Sequence, residues 1–287
     1  VVTPPLWKAC VTLAKEHAPD VVALFELAPP APQAVLIAED PFGPDATVEA
    51  LYPDAPDAEF LTRLIGRRVS VETLPDRDWI RSSQEGLPPV RAGRFFLYGS
   101  HDHGKVPPGP IPIRIEAGLA FGTGHHETTA LCLKALSRIG RVRMPRSVLD
   151  LGCGTGVLAI AAAKLWRCPV LASDIDPVAI EVAAENAKEN HVRSQLRFAV
   201  ADGAAHPSIR SAGPYDLVSA NILASPLTKL AGGIRRVLAP RANVVLSGIL
   251  RNQEALVVGY YQALGLVLAE RLREGPWSAL VLRRPER

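Results

Sequence analysis

The sequence predicts an α/β protein: a doubly wound, mostly parallel sheet that ends in an antiparallel hairpin, preceded by a small α+β domain. Three observations carry this prediction. From residue 147 onward, strand-like and helix-like runs alternate, and parallel neighbours need helical crossovers that cover both faces of a sheet. The last two strand-like runs are joined by the short turn Arg273-Glu274-Gly275-Pro276, which suits an antiparallel pair. Before residue 75 the order is β-α-β-β-α-β, that of a ferredoxin-like sandwich.

In chain order, the first strand is expected at 8–13 and a helix at 18–27. Strands at 34–38 and 47–52, a helix at 57–65 and a strand at 68–74 follow. Residues 76–112 read as a connecting segment with one short helix and one strand. It contains Trp79 and the turn Arg91-Ala92-Gly93-Arg94, and ends in Pro107-Pro108-Gly109-Pro110-Ile111-Pro112, where fixed φ angles and missing N–H donors oppose regular structure. Beyond it, strands are expected at 147–151, 170–174, 196–200, 215–220 and 243–247, then at 266–272 and 278–282. Helices are expected at 157–166, 177–189, 226–238 and 252–264. The domain reading is therefore 1–75 for the α+β domain, 76–112 for the linker and 113–287 for the larger domain.

Composition bounds the function. The 287 residues suffice for two domains at roughly 100–200 each, and 48% hydrophobic with 21% charged residues is a globular balance. No apolar run approaches the ~20 residues of a membrane-spanning helix, so no membrane partner is expected. The start, Val1-Val2-Thr3-Pro4-Pro5, has neither a basic nor a long apolar character, which leaves the cytoplasm as the expected compartment. Four cysteines without C-x-x-C spacing argue against a disulfide framework and a zinc knuckle. Residues 1–110 carry ten Lys and Arg against fifteen Asp and Glu, net −5, whereas 111–287 carry net +8. An acidic N-terminal part suits a basic partner, and a basic C-terminal part suits an anionic one.

The chemistry concentrates after residue 112. Val148-Leu149-Asp150-Leu151-Gly152-Cys153-Gly154-Thr155-Gly156 runs from an apolar strand through a glycine turn into an Ala-rich helix. Glycines allow a ligand near the backbone, and the helix start offers N–H groups to an anionic end. The G-x-G-x-G spacing differs from the G-x-G-x-x-G pyrophosphate fingerprint and favours a methionine carboxylate. Asp174, 22 positions after Gly152 at the end of the next strand, is placed to accept ribose hydroxyls. Asp176 precedes Pro177 and is read as a helix cap. Asp202, after the third strand, is the candidate acceptor for an adenine amino group. His125-His126-Glu127 is not read as a metal site, because three consecutive side chains diverge.

Two further segments fix the reaction: Ala117-Gly118-Leu119-Ala120-Phe121-Gly122-Thr123-Gly124-His125-His126-Glu127-Thr128-Thr129, and Ser219-Ala220-Asn221-Ile222-Leu223-Ala224 at the end of the fourth strand. With Leu246-Ser247-Gly248-Ile249-Leu250, these segments resemble the PrmA-type methyltransferases of large-subunit ribosomal protein eleven. The resemblance spans residues 112–287 and touches Asp76-Arg77-Asp78-Trp79 and Arg91–Phe95; Glu127 stands where the family has proline. It implies the Rossmann-like class I methyltransferase fold, a seven-stranded sheet with its last hairpin antiparallel, and transfer from S-adenosylmethionine to lysine or N-terminal amines. It also implies that Thr129, Gly152, Asp174 and Asn221 contact that cofactor, with Leu119, Phe121 and Gly154 close by, and that the N-terminal domain recognises the basic protein substrate. Asn221 is the expected catalytic residue, orienting the amine in an apolar site lined by Phe121 and Leu223. A methyltransferase of RNA or small molecules is the second reading, ranked lower because no interleaved aromatic-basic patch is present and no direct nucleic-acid partner is expected. A non-catalytic S-adenosylmethionine-binding interaction protein is the third, and a nicotinamide dehydrogenase the last.

Overall fold

The computed structural model describes residues 7–30, 32, 34–39, 44–73, 89–115 and 126–286. Its contacts divide the chain into two units, Val1–Ser83 and Gln84–Arg287. In the first, β1 (Trp7–Ala14), α1 (Ala18–Leu27), β2 (Ala34–Glu39), β3 (Asp45–Tyr52), α2 (Ala58–Ile65) and β4 (Ser70–Thr73) follow the expected order. The sheet is antiparallel throughout, in the order β2-β3-β1-β4. Burial alternates along β3 because successive side chains point to opposite faces, and one face packs on Phe25 and Leu61 from the helices. Asp57 caps α2 by accepting from the Glu59 and Phe60 amides at 2.9 and 3.0 Å, an arrangement worth about 1 kcal/mol.

The second unit opens with strands where a connector was expected. β5 (Val90–Ala92), β6 (Phe95–Tyr98) and β7 (Ile111–Arg114) form a three-stranded sheet, and Ala92, Phe95, Leu97 and Ile113 enter the main core. Pro112 is tolerated because β7 is an edge strand, where a missing N–H breaks no ladder.

The large sheet is built from β8 (Val148–Leu151), β9 (Val170–Asp174), β10 (Leu196–Val200), β11 (Tyr215–Asn221), β12 (Leu238–Leu250), β13 (Val267–Glu274) and β14 (Trp277–Arg283). Its order is β10-β9-β8-β11-β12-β14-β13, with β14 antiparallel to both neighbours. One face is covered by α3 (His126–Val142), α4 (Val157–Trp166) and α5 (Pro177–Glu189), the other by α6 (Pro207–Ala212), α7 (Ala224–Val237) and α8 (Glu254–Ala263). Coverage on both faces explains why β8 is buried at every position. The strand order reverses between β8 and β11, and the crevice outside their carboxyl ends is where open α/β sheets hold ligands. Among the described residues, no helix is long and apolar enough to cross a membrane.

Candidate active site

The loops leaving β8 and β11 enclose a cavity of about 190 Å³, walled in part by Thr129, Gly152, Gly154, Asn221, Ile222 and Gly248. The first loop is anchored through its backbone. The amides of Gly152 and Cys153 donate to the Ser173 carbonyl at 2.8 and 2.9 Å, and that of Gly154 donates to Asp174 Oδ2 at 2.9 Å. Gly152 has φ +68, and a Cβ there would lie 2.6 Å from Ile222 Cγ2, so this glycine makes room for Ile222. At Gly154 a Cβ would enter open space.

Asp150, 1% exposed, ties the start of α4 to β11. Its Oδ2 accepts from the Ala159 amide in the first turn of α4 at 3.0 Å, and its Oδ1 accepts from the Ser219 hydroxyl of β11 at 2.8 Å. Desolvation pushes its carboxyl up to about 7, against the lowering effect of those two bonds. An internal acid therefore already takes one of the amides that the sequence assigned to an anionic ligand. Among the described residues, the amides of Val157 and Leu158 are paired with no acceptor, and both residues line the cavity.

Asn221 ends β11. Its Nδ2 donates to Thr129 Oγ1 at 3.3 Å, a bond across 92 residues that ties β11 to the start of α3. Its Oδ1 is buried and accepts no bond among the described residues. A buried acceptor left unsatisfied costs about 1–3 kcal/mol, which marks the atom as one that a ligand completes. The loop after Asn221 is clamped: the Ile222 amide donates to the Ser247 carbonyl at 3.1 Å, and Gly248, at φ +80, passes so near that a Cβ would sit 2.5 Å from the Ile222 oxygen.

Thr129, Gly152, Gly154 and Asn221 thus meet at one cavity, as the motif order implies. Asp174 stands beside it, its two oxygens accepting from Gly154 and, at 3.1 Å, from Asp176, with a second lone pair left on each. Asp176 caps α5 through the Val178 amide at 2.8 Å. Asp202 is exposed in the turn after β10. Leu119, Phe121 and His125 lie outside the described residues. Leu223 lines the cavity but is 61% exposed, so it does not seal the site as an apolar wall. Asp150, Ile222 and Gly248 stand inside the motifs but received no role from the sequence; the available signals were a lone acid inside an apolar strand and a glycine within β12.

Among the described residues, the side chains at the cavity are unsuited to covalent chemistry. Burial pushes the Cys132 thiol up to about 12 and the Cys153 thiol further up, so neither is a thiolate near neutral pH. Asp150 has both oxygens engaged. What remains is a cradle that orients. An adenosyl amino acid fits its donor set: the free helix amides face a carboxylate, Asp174 faces hydroxyls, and the Asn221 oxygen faces a donor.

Residues 36–285 match the family described as Ribosomal protein L11 methyltransferase (PrmA). A Ribosomal protein L11 methyltransferase of Brucella suis is 51% identical over 212 residues, covering 74% of this chain and 74% of the relative. The protein of the same name from Bradyrhizobium diazoefficiens is 49% identical over 241 residues, covering 81% and 82%. Among solved structures, the ribosomal protein L11 methylase of Lactobacillus delbrueckii subsp. bulgaricus is similar at 29% identity and a TM-score of 0.60, covering 68% of this chain and 95% of that one.

Proposed function

The chain belongs to the PrmA family of ribosomal protein L11 methyltransferases, and from that premise we propose that its cavity directs amine nitrogens of L11, lysine side chains or the N-terminal amine, to the methyl donor through Asn221. The protein is an S-adenosylmethionine-dependent methyltransferase with L11 as its substrate. When bound, S-adenosylmethionine supplies an electrophilic methyl group on a sulfonium. Gly152, Gly154 and Thr129 form its cradle, Asp174 takes the ribose hydroxyls and Asp202 the adenine edge, with Leu119 and Phe121 assigned to the same site.

An amine must lose its proton before it attacks. With a lysine pKa near 10.4, neutralising it at pH 7 costs roughly 4.6 kcal/mol. Among the described residues, no side chain lining the cavity is free to act as base, because Asp150 is committed to Ser219 and Ala159. The rate therefore comes from orientation and desolvation, with the proton leaving to water before the amine enters. Asn221 Oδ1 accepts an N–H of the neutral amine and turns its lone pair toward the methyl group. Thr129 is a positioning residue: by accepting from Nδ2 it fixes which end of the Asn221 amide faces the cavity.

The observation that carries this reading is the buried, unpartnered Asn221 Oδ1. Single-turnover transfer of labelled methyl to L11, followed by peptide mass mapping, tests it. Transfer in Asn221→Ala at the parental rate rejects the role of Asn221, and label on side chains other than amines rejects the acceptor class. Recognition of L11 belongs, in this proposal, to the acidic N-terminal domain of residues 1–75, ahead of the catalytic domain of 113–287, whose core the strands of 90–114 join. A ribosomal-protein substrate puts the activity in the cytoplasm.

A further inference from the structure

The amino ends of the large sheet carry a feature that methyl transfer does not use. The segments entering β8 to β12 and the one leaving β14 all lie at this end, because β14 runs antiparallel. Residues 141–147, 167–169, 190–195, 210–216, 235–242 and 283–286 together hold eleven arginines, no lysine and two acids, Asp216 and Glu286.

Hydrogen bonds join four of these segments, 141–147, 210–216, 235–242 and 283–286. Asp216 accepts from the Arg146 amide at 2.8 Å, Arg143 donates to the Arg241 carbonyl, and Arg284 donates to the Leu238 carbonyl. Arg241 pairs with Glu286 and Arg146 with Asp216, which uses up both acids. Arg141, Arg167, Arg210, Arg236 and Arg283 are exposed and have no acid partner among the described residues. From β10 to β14 the strands span about 24 Å at ~4.8 Å each. At 3.4 Å per phosphate, that is the reach of about seven nucleotides of one strand.

We propose that this arginine face binds the phosphate backbone of RNA, at the end of the sheet opposite the methyl-transfer site. The planar guanidinium matches phosphate in a bidentate fashion, and exclusive use of arginine distinguishes the face from a merely solubilising one. Large exposed apolar side chains at its β8 entry are confined to Val142 and Met144, which are 85% and 71% exposed, too few to anchor the face in a bilayer. The choice of RNA over DNA rests on the L11 reading, since a ribosomal protein is met beside RNA; the phosphate chemistry does not. The expectation of no nucleic-acid partner looked for aromatic-basic interleaving, whereas backbone binding needs only the cations.

The test is fluorescence anisotropy of the full chain with labelled 20-base-pair RNA and DNA duplexes, with phosphatidylserine vesicles and poly-glutamate as alternative partners. Saturable RNA binding is expected at 50 mM salt, weakening on the order of several hundred-fold by 200 mM for about five phosphate contacts. Replacing Arg141, Arg236 and Arg283 together by Glu is expected to weaken it at least tenfold. Arg236→Gln and Arg283→Gln, each alone, are expected to lower the log–log salt slope by about one, which keeps the test intact if the triple variant misfolds. Unchanged RNA affinity in these variants, or tighter binding of DNA, vesicles or poly-glutamate, overturns the proposal. Methyl transfer to free L11, measured on the same preparations, is expected to stay within twofold of the parent; loss of transfer in the parent itself would count against the L11 reading alone.

Discussion

The two ends of the seven-stranded sheet are built from different materials. At the carboxyl end the functional groups are backbone amides, glycines at positive φ and polar atoms sunk in the core, each tied to a second element: Asp150 to Ala159 and Ser219, Asn221 to Thr129, Gly248 to Ile222. At the amino end they are exposed guanidinium groups, several of them without an acid partner among the described residues. The first arrangement fixes atoms in place and is intolerant of change. The second spreads charge, and each of its members is replaceable.

This contrast is open to direct attack, beginning where the effect is greatest. Asn221→Ala is expected to lower the single-turnover rate by about 10²–10³-fold, as misplacing a reactant does, while leaving the thermal midpoint nearly unchanged. Gly248→Ala drives a methyl into the Ile222 carbonyl at a positive φ, and a loss of about 2–3 kcal/mol is expected in urea unfolding. If Gly248→Ala is as stable as the parent, the carboxyl end is more pliant than described.

Asp150 supplies a pH test. Its folded-state pKa lies above its unfolded value, so the neutral form is favoured in the fold; stability is full below the unfolded pKa near 4 and is lost as pH rises through about 7. Parental stability is therefore expected to fall between about pH 4 and 7 and to level off above that, and Asp150→Asn, which retains one acceptor and gains a donor for Ser219, is expected to flatten that slope. Thr129→Val should slow transfer about tenfold with unchanged stability, and Thr129→Ser should restore it, since only the hydroxyl holds the Asn221 amide. The smallest effects belong to the other end: Arg236→Ala and Arg283→Ala are expected to alter stability by less than about 0.5 kcal/mol.

What the sequence disclosed follows the same division. Periodicity located α1 at its observed bounds, and Asp176 announced the helix it caps, because these signals are local. β12 proved to run over Leu238–Leu250 where only 243–247 was expected, since Pro240 and Arg241 interrupt the apolar pattern while the partner strand β11 still holds Leu238 against Tyr215. The six-residue α6 went unseen because it buries one apolar residue, Ile209. The motifs brought out Thr129, Gly152, Gly154 and Asn221, which face one cavity. Asp150 and Ile222 were illegible in their roles, because both act through partners about 70 residues away in sequence and adjacent only across the sheet.

The charges at the two ends also have a kinetic consequence. The carboxyl end presents the half-buried Asp174 and the exposed Asp176 and Asp202, and the arginines crowd the far end, so the catalytic unit carries a permanent separation of charge along its strands. A cationic protein arriving from solution feels a torque before it makes contact and is turned toward the acidic pole. Salt, by shortening the reach of that field to about 8 Å at physiological strength, slows capture while leaving the chemistry of a substrate already seated untouched.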